Sequence, residues 1–323
     1  VEEVLMSANQ IPFLDKTVAL RIKGIAAIYI MLSHLIHSPY WQLEFFLFGG
    51  GYLFVGIFFF YSGYGLKKST KSRQNYLNDF LKRKLIGIYL PFLLAETCHT
   101  VVTALYSGNY SQFIMKCIGV KLSNTILWYV VEILALYVLF YIFETYRMPI
   151  IAYVIAWLGF AFVASYFNIG SWWYVSTPCF ILGIICGKYE SRLSALKRVW
   201  GRKVGSLVIF FITDYLHRWI AEFKISLFKI PSTYICVALM IISAMSFVIA
   251  LILNIEEGFL KTRIFDFCGE LSYLIYLWHG FFITLVSRIL TNDFLLTIEV
   301  TVITLLFAAL YHRMETRIFK KLA

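Results

Sequence analysis

Apolar blocks of the length that a membrane-crossing helix needs, about 20 residues, recur along this chain from near its start to its end. Short clusters of basic and turn-forming residues separate them. Read on that pattern, spans fall near 19–37, 43–66, 85–107, 126–144, 149–167, 172–187, 205–220, 232–254, 268–290 and 295–312. Separators such as Arg147-Met148-Pro149 and Asn168-Ile169-Gly170 leave room only for tight hairpins. The seventh span is the least regular, because Asp214, His217 and Arg218 interrupt it. The expected fold is all-α: one polytopic membrane domain over 1–323, with about ten spans and a short polar N-terminal segment, 1–18.

Composition narrows the class further. Hydrophobic residues make up 60% of the chain and charged residues 15%, against about 25% charged in soluble domains. The 19% of aromatic residues suits rings placed at bilayer interfaces. A net charge of +11 does not point to nucleic acid, because the basic residues sit in the short connections between apolar runs. Cytoplasmic loops show that pattern. With the N-terminus inside, only Lys116, Lys121, Arg218, Lys224, Lys229 and Arg288 of the 29 Lys and Arg fall outside. Both termini are therefore expected in the cytoplasm, and the Lys67–Lys84 connection is the strongest anchor. The first apolar run follows a polar segment and leads straight into further spans, so it is read as retained rather than cleaved. Cys98, Cys117, Cys179, Cys186, Cys236 and Cys268 form no C-x-x-C pair, and most lie inside apolar spans, where free thiols are expected.

Ionisable groups inside spans are costly and face a cavity or a partner. Lys23 and His34 of the first span are eleven residues apart, about three helical turns, so they share a face roughly 16 Å apart along the axis. Histidine titrates near neutrality and can pass protons. A packing histidine with a snorkelling lysine is the alternative that spacing leaves open. Tyr61-Ser62-Gly63-Tyr64-Gly65 closes the second span with small residues that let helices approach. Glu132 lies six residues into the fourth span, after Trp128-Tyr129, and needs a partner or a proton. In the ninth span Ser272, Tyr276 and His279 recur at four and three residues, forming one polar stripe. His34 and His37 are one turn apart, but no H-E-x-x-H motif or Cys pair supports a metal. Neither a G-x-S-x-G nor a nucleotide-binding glycine motif is present.

Taken together these segments resemble the acyltransferase 3 family of membrane proteins. Lys23-x10-His34 with Gly24-Ile25-Ala26-Ala27 is similar to the family's first span, and Val55-Gly56-Ile57-Phe58-Phe59-Phe60-Tyr61-Ser62-Gly63-Tyr64 to its second. Trp128-Tyr129 and Ser272-Tyr273-x-x-Tyr276-Leu277-x-His279 continue the match. One departure is that Gly87 stands where the loop entering the third span often carries a second arginine. No appended extracytoplasmic hydrolase-like domain is expected.

The resemblance implies O-acylation, commonly O-acetylation of a cell-envelope or exported glycan, in the cytoplasmic membrane of a bacterial cell. The donor is expected to be acetyl-CoA, with no metal, and the acceptor a glycan or lipid-linked glycan. The resemblance places catalytic roles on His34, Glu132, Tyr273 and His279, with Glu132 or Tyr273 orienting His34. Donor contacts are expected from Lys23, Arg83, Lys84, Ser62 and Trp128. A transporter or flippase of a small substrate on the same fold is the competing reading, since a polar stripe through the bilayer suits it too.

Overall fold

The structure, a computed structural model, describes residues 14–35, 50–194, 199–224, 231–256, 258 and 260–322. His37 and the start of the second expected span lie outside the described residues. Among these residues every regular element is helical. The backbone chemistry accounts for that: in hydrocarbon each N–H and C=O needs a partner within its own segment, and a helix supplies one.

The main helices are α1 (Lys16–Leu35), α2 (Gly51–Ser72), α3 (Phe80–Ser107), α4 (Trp128–Thr145) and α5 (Ile150–Tyr166). They continue with α6 (Pro178–Lys188), α7 (Trp200–Phe223), α8 (Ser232–Asn254), the short α9 (Arg263–Glu270), α10 (Ser272–Val286) and α11 (Asp293–Leu322). Each expected apolar segment therefore holds a helix, but among the described residues 6 helical stretches are long and apolar enough to cross a membrane. These are α1, α3, Thr125–Thr145, α7, α8 and Asp293–Arg317.

The other segments fall short for local reasons. α2 ends in Lys67, Lys68 and Lys71. The sixth segment is divided into a turn, Trp172–Val175, and α6, which opens on Pro178, a residue with no N–H to continue the preceding ladder. α5 has 17 residues and α10 has 15, below the 20 or so that a membrane about 30 Å thick requires.

The polar interruption of the seventh span does not break α7. Arg218 Nε lies 2.8 Å from Asp214 Oδ2, one turn away. Tyr52 of α2 donates its hydroxyl to the same carboxylate at 3.1 Å, so the charge is neutralised within the bundle. At the opposite end of the helices Lys67 pairs with Glu144 at 2.7 Å and Lys68 with Glu190 at 3.0 Å.

Two glycine contacts set how the central helices lie. A Cβ on Gly63 of α2 would stand 2.1 Å from Phe180 O of α6, and one on Gly183 would stand 2.2 Å from Phe60 O. The two helices thus touch backbone to backbone, each through the other's glycine. α1 and α9 repeat the device, with Gly24 against Gly269 N and Gly269 against Leu20 O.

Gly183→Val is expected to force α2 and α6 apart, at a cost of about 3 kcal/mol. It should lower the thermal unfolding midpoint in detergent. Gly205→Ala, where a Cβ meets nothing within 4 Å, should leave that midpoint unchanged.

Candidate functional site

α1, α2, α3, α4 and α10 enclose a cavity of about 640 Å³. Lys16 and Lys23 of α1 and Lys84 of α3 line it. None of the three has a carboxylate within ion-pair distance among the described residues. Lys84 instead lies over the ring of Tyr137, with its Nζ 4.2 Å from the centroid, a contact that keeps the cation in place without cancelling its charge. The rest of the wall is largely aromatic and hydroxylic. Tyr129 and Tyr137 come from α4, Tyr61 and Ser62 from α2, and Tyr273 and Tyr276 from α10. Ser62 Oγ and Tyr137 Oη are hydrogen-bonded at 3.2 Å.

The entry of α3 is shaped by a wide turn. Leu85–Tyr89 is π-helical, and such turns leave carbonyls off the regular ladder. Tyr273 donates its hydroxyl to one of them, Ile88 O, at 2.6 Å. Tyr273 thus ties α10 to α3 beside Lys84. Gly87 sits in the same turn, where a Cβ would meet nothing within 4 Å.

Tyr276 joins the cavity to the histidines. Its ring packs on Tyr129 at 5.3 Å on the cavity side and on His279 at 5.7 Å on the other. His279 is fully buried and stacks on half-buried His34, with ring centroids 5.5 Å apart. Nδ1 of His279 lies 3.1 Å from Ile275 O. A carbonyl only accepts, so Nδ1 carries the proton and the lone pair is left on Nε2. That Nε2 is buried and has no hydrogen-bond partner among the described residues. The first and ninth spans thus bring their histidines together, at the end of α1 opposite the lysines.

Several expected residues lie elsewhere. Glu132 hydrogen-bonds the Thr177 hydroxyl through Oε1 and faces a second chamber between α4, α5 and α6, not the lysine-lined cavity. Burial in an apolar wall leaves a hydroxyl, not an imidazole, as its partner. Trp128 packs on Trp173, with centroids 5.7 Å apart. Arg83 is exposed and does not line the cavity itself, but it stacks over a residue that does, Tyr76, at 5.3 Å. Ser62, Lys23 and Lys84, expected as donor contacts, and Tyr273, expected to be catalytic, all line the cavity. Among the described residues no group of three His, Cys, Asp or Glu is arranged to hold a metal.

The structure also picks out a cluster that spacing did not bring forward. Glu96 of α3 is fully buried, and its carboxylate accepts the backbone N–H groups of Ser123 and Asn124. Asn124 caps the turn Thr125–Leu127 through Ile126 N at 3.2 Å, and its amide fits against Gly280, the neighbour of His279. Ile126 O in turn accepts the Tyr276 hydroxyl. Next to Glu96, His99 bridges Ser123 and Thr284 at 3.1 Å each. The signal lay in the sequence: a Glu and a His at i and i+3 within an apolar run.

The family model described as an acyltransferase domain, that of acyltransferase 3, matches residues 21–313. Neither the curated proteins nor the solved structures contain a match to the chain.

Glu96→Leu is expected to strip two buried N–H groups of their acceptor and cost about 2–4 kcal/mol. Its thermal midpoint in detergent should fall well below that of Glu96→Gln, which keeps one acceptor oxygen.

Proposed function

This chain belongs to the acyltransferase 3 family, and we propose that it is a membrane O-acetyltransferase. On this reading it moves acetyl from cytoplasmic acetyl-CoA to a hydroxyl of a cell-envelope or exported glycan. The observation that carries the proposal is the cavity with Lys16, Lys23 and Lys84 lining it without carboxylate partners among the described residues. Its wall residue Tyr276 leads to the His34–His279 pair. Uncompensated cations in a partly buried cavity favour a polyanionic ligand, and coenzyme A is one. The acyl end of such a ligand, bound by its phosphates at the lysines, points toward the histidines.

The lysines lie where α1 and α3 begin and α2 and α4 end. The distribution of Lys and Arg assigns that same end to the cytoplasm. We place the chain in the bacterial cytoplasmic membrane with about ten crossings and both termini inside. α2, α5, α6 and α10 complete that count as short, tilted or protein-covered segments.

His34 takes the proton of the acceptor hydroxyl as its oxygen attacks the thioester carbonyl. The new C–O bond forms, the C–S bond breaks, and the leaving thiolate recovers a proton from the imidazolium. An imidazole is suited to both transfers because its two forms are close in free energy near neutral pH. His279 holds the ring of His34 by stacking. Tyr273 holds the α3 entry, and with it Lys84. Glu132, in the other chamber, takes no direct part in the proton transfer.

Membranes containing the protein should transfer labelled acetyl from acetyl-CoA to hydroxyl acceptors. His34→Ala should lower the rate by 10² or more with expression unchanged; wild-type transfer by this variant would overturn the assignment. Lys84→Met should raise KM for acetyl-CoA about ten-fold, with a smaller effect on kcat. Raising the salt concentration should narrow that gap. A transporter on this fold would move its substrate without consuming acetyl-CoA.

A further inference from the structure

α4 has two working faces. Tyr129, Ile133 and Tyr137, four residues apart, line the lysine cavity. Glu132, Leu136 and Leu139 face a separate chamber of about 400 Å³ closed by α5 and α6. That volume is within the range of about 300–1,000 Å³ typical of small-ligand sites. The chamber walls are apolar and aromatic, with Trp157, Phe160, Trp173 and Phe180 among them. It extends along α4 from Glu132 to Leu139, about 10 Å of helix rise, parallel to the helices and so to the hydrocarbon chains of the bilayer.

A carboxyl group stands at one end. Glu132 is 5% exposed, and Thr177 occupies Oε1. Oε2 is buried and has no hydrogen-bond partner among the described residues. A buried carboxyl oxygen left unpaired in an apolar wall carries a large free-energy penalty. Glu132 is itself one of the residues that line the chamber, and Thr177, its one hydrogen-bond partner among the described residues, is another.

We propose that this chamber binds a single hydrocarbon chain bearing a hydroxyl head, drawn from the surrounding lipid, with the hydroxyl bonded to Glu132. The walls match the chain. The head is a hydroxyl for a chemical reason: it both donates and accepts, so it satisfies the carboxyl group whether Glu132 carries a proton or not. An ammonium head would serve only the ionised form and would need a second desolvated charge beside the first. A bare alkyl end would leave Oε2 unpaired. The site lies across α4 from the lysine cavity and stands whether or not the chain transfers acetyl groups.

The test is photolabelling of the full-length protein in lipid nanodiscs. The probes are a diazirine-bearing fatty alcohol and the same chain without the hydroxyl, mapped by peptide mass spectrometry. The alcohol should label the 131–139 and 156–160 segments, and unlabelled fatty alcohol should compete it away. It should outcompete the hydroxyl-free chain roughly ten-fold. Glu132→Leu should abolish that preference while labelling by the bare chain persists. Ala156→Trp, which fills the chamber, should cut labelling by both probes at least five-fold in protein that remains monodisperse and keeps its thermal midpoint. Labelling spread evenly over the outer helix faces would overturn the proposal. So would an equal yield from both probes in the unaltered protein, a comparison that depends on no variant.

Discussion

A charge inside a hydrocarbon layer has to be paired, or it has to face a space that something polar will fill; the placement of nearly every ionisable group in this bundle follows from that. Asp214 and Arg218 sit in the middle of an apolar run and pair with each other, with Tyr52 bonded to the same carboxylate. Lys67 and Lys68, where α2 ends, pair with Glu144 and Glu190, and Arg21 of α1 is held by Asp266 of α9. Glu96 spends its charge on two backbone N–H groups. Lys16, Lys23 and Lys84, with no carboxylate partner among the described residues, face one cavity. Glu132 lines another, with Oε2 unpaired among the described residues.

The two spaces exist because α4 stands between α10 on one side and α5 and α6 on the other. Close backbone contact between α2 and α6 through Gly63 and Gly183 leaves no room for side chains there. The bulky aromatic residues of α2 therefore turn to the neighbouring sides. Phe58 meets Tyr129 across the cavity, 5.8 Å between centroids, and Tyr61 and Ser62 line its wall. The chemistry of the cavity thus depends on residues that never reach it.

Much of the candidate site was legible as spacing. Lys23 and His34 share a face because eleven residues make three turns, and the structure places one at the cavity and the other against His279. The Ser272–Tyr276–His279 stripe was legible for the same reason, and its members run from the cavity wall to the buried histidine pair. What spacing could not supply is the rotation of one helix against the next. A carboxylate in the fifth position of α4 needs a partner, but only the packing of the helices decides that the partner is Thr177. Trp128 lies beside site residues in sequence but packs on Trp173, and Arg83 reaches the cavity only through Tyr76. Glu96 and His99 carried the ordinary signal of ionisable residues in an apolar run, and their meaning depends on the connection 118–127 folding back over α3.

By itself the sequence determined that the chain is helical and built for lipid. It also determined which polar residues are too costly to be there without a reason. Both follow from local physics: segment length, the backbone's need for partners, and the price of burying charge. Which six of the described stretches have the length and apolarity to cross follows from helix lengths, from Pro178 and from the lysines ending α2. Tertiary packing alone decided that Lys16 and Lys84 join Lys23, that His279 meets His34, and that Glu132 opens on a chamber of its own. Those are relations between helices far apart in the chain, and they depend on rotation and depth that no single helix encodes.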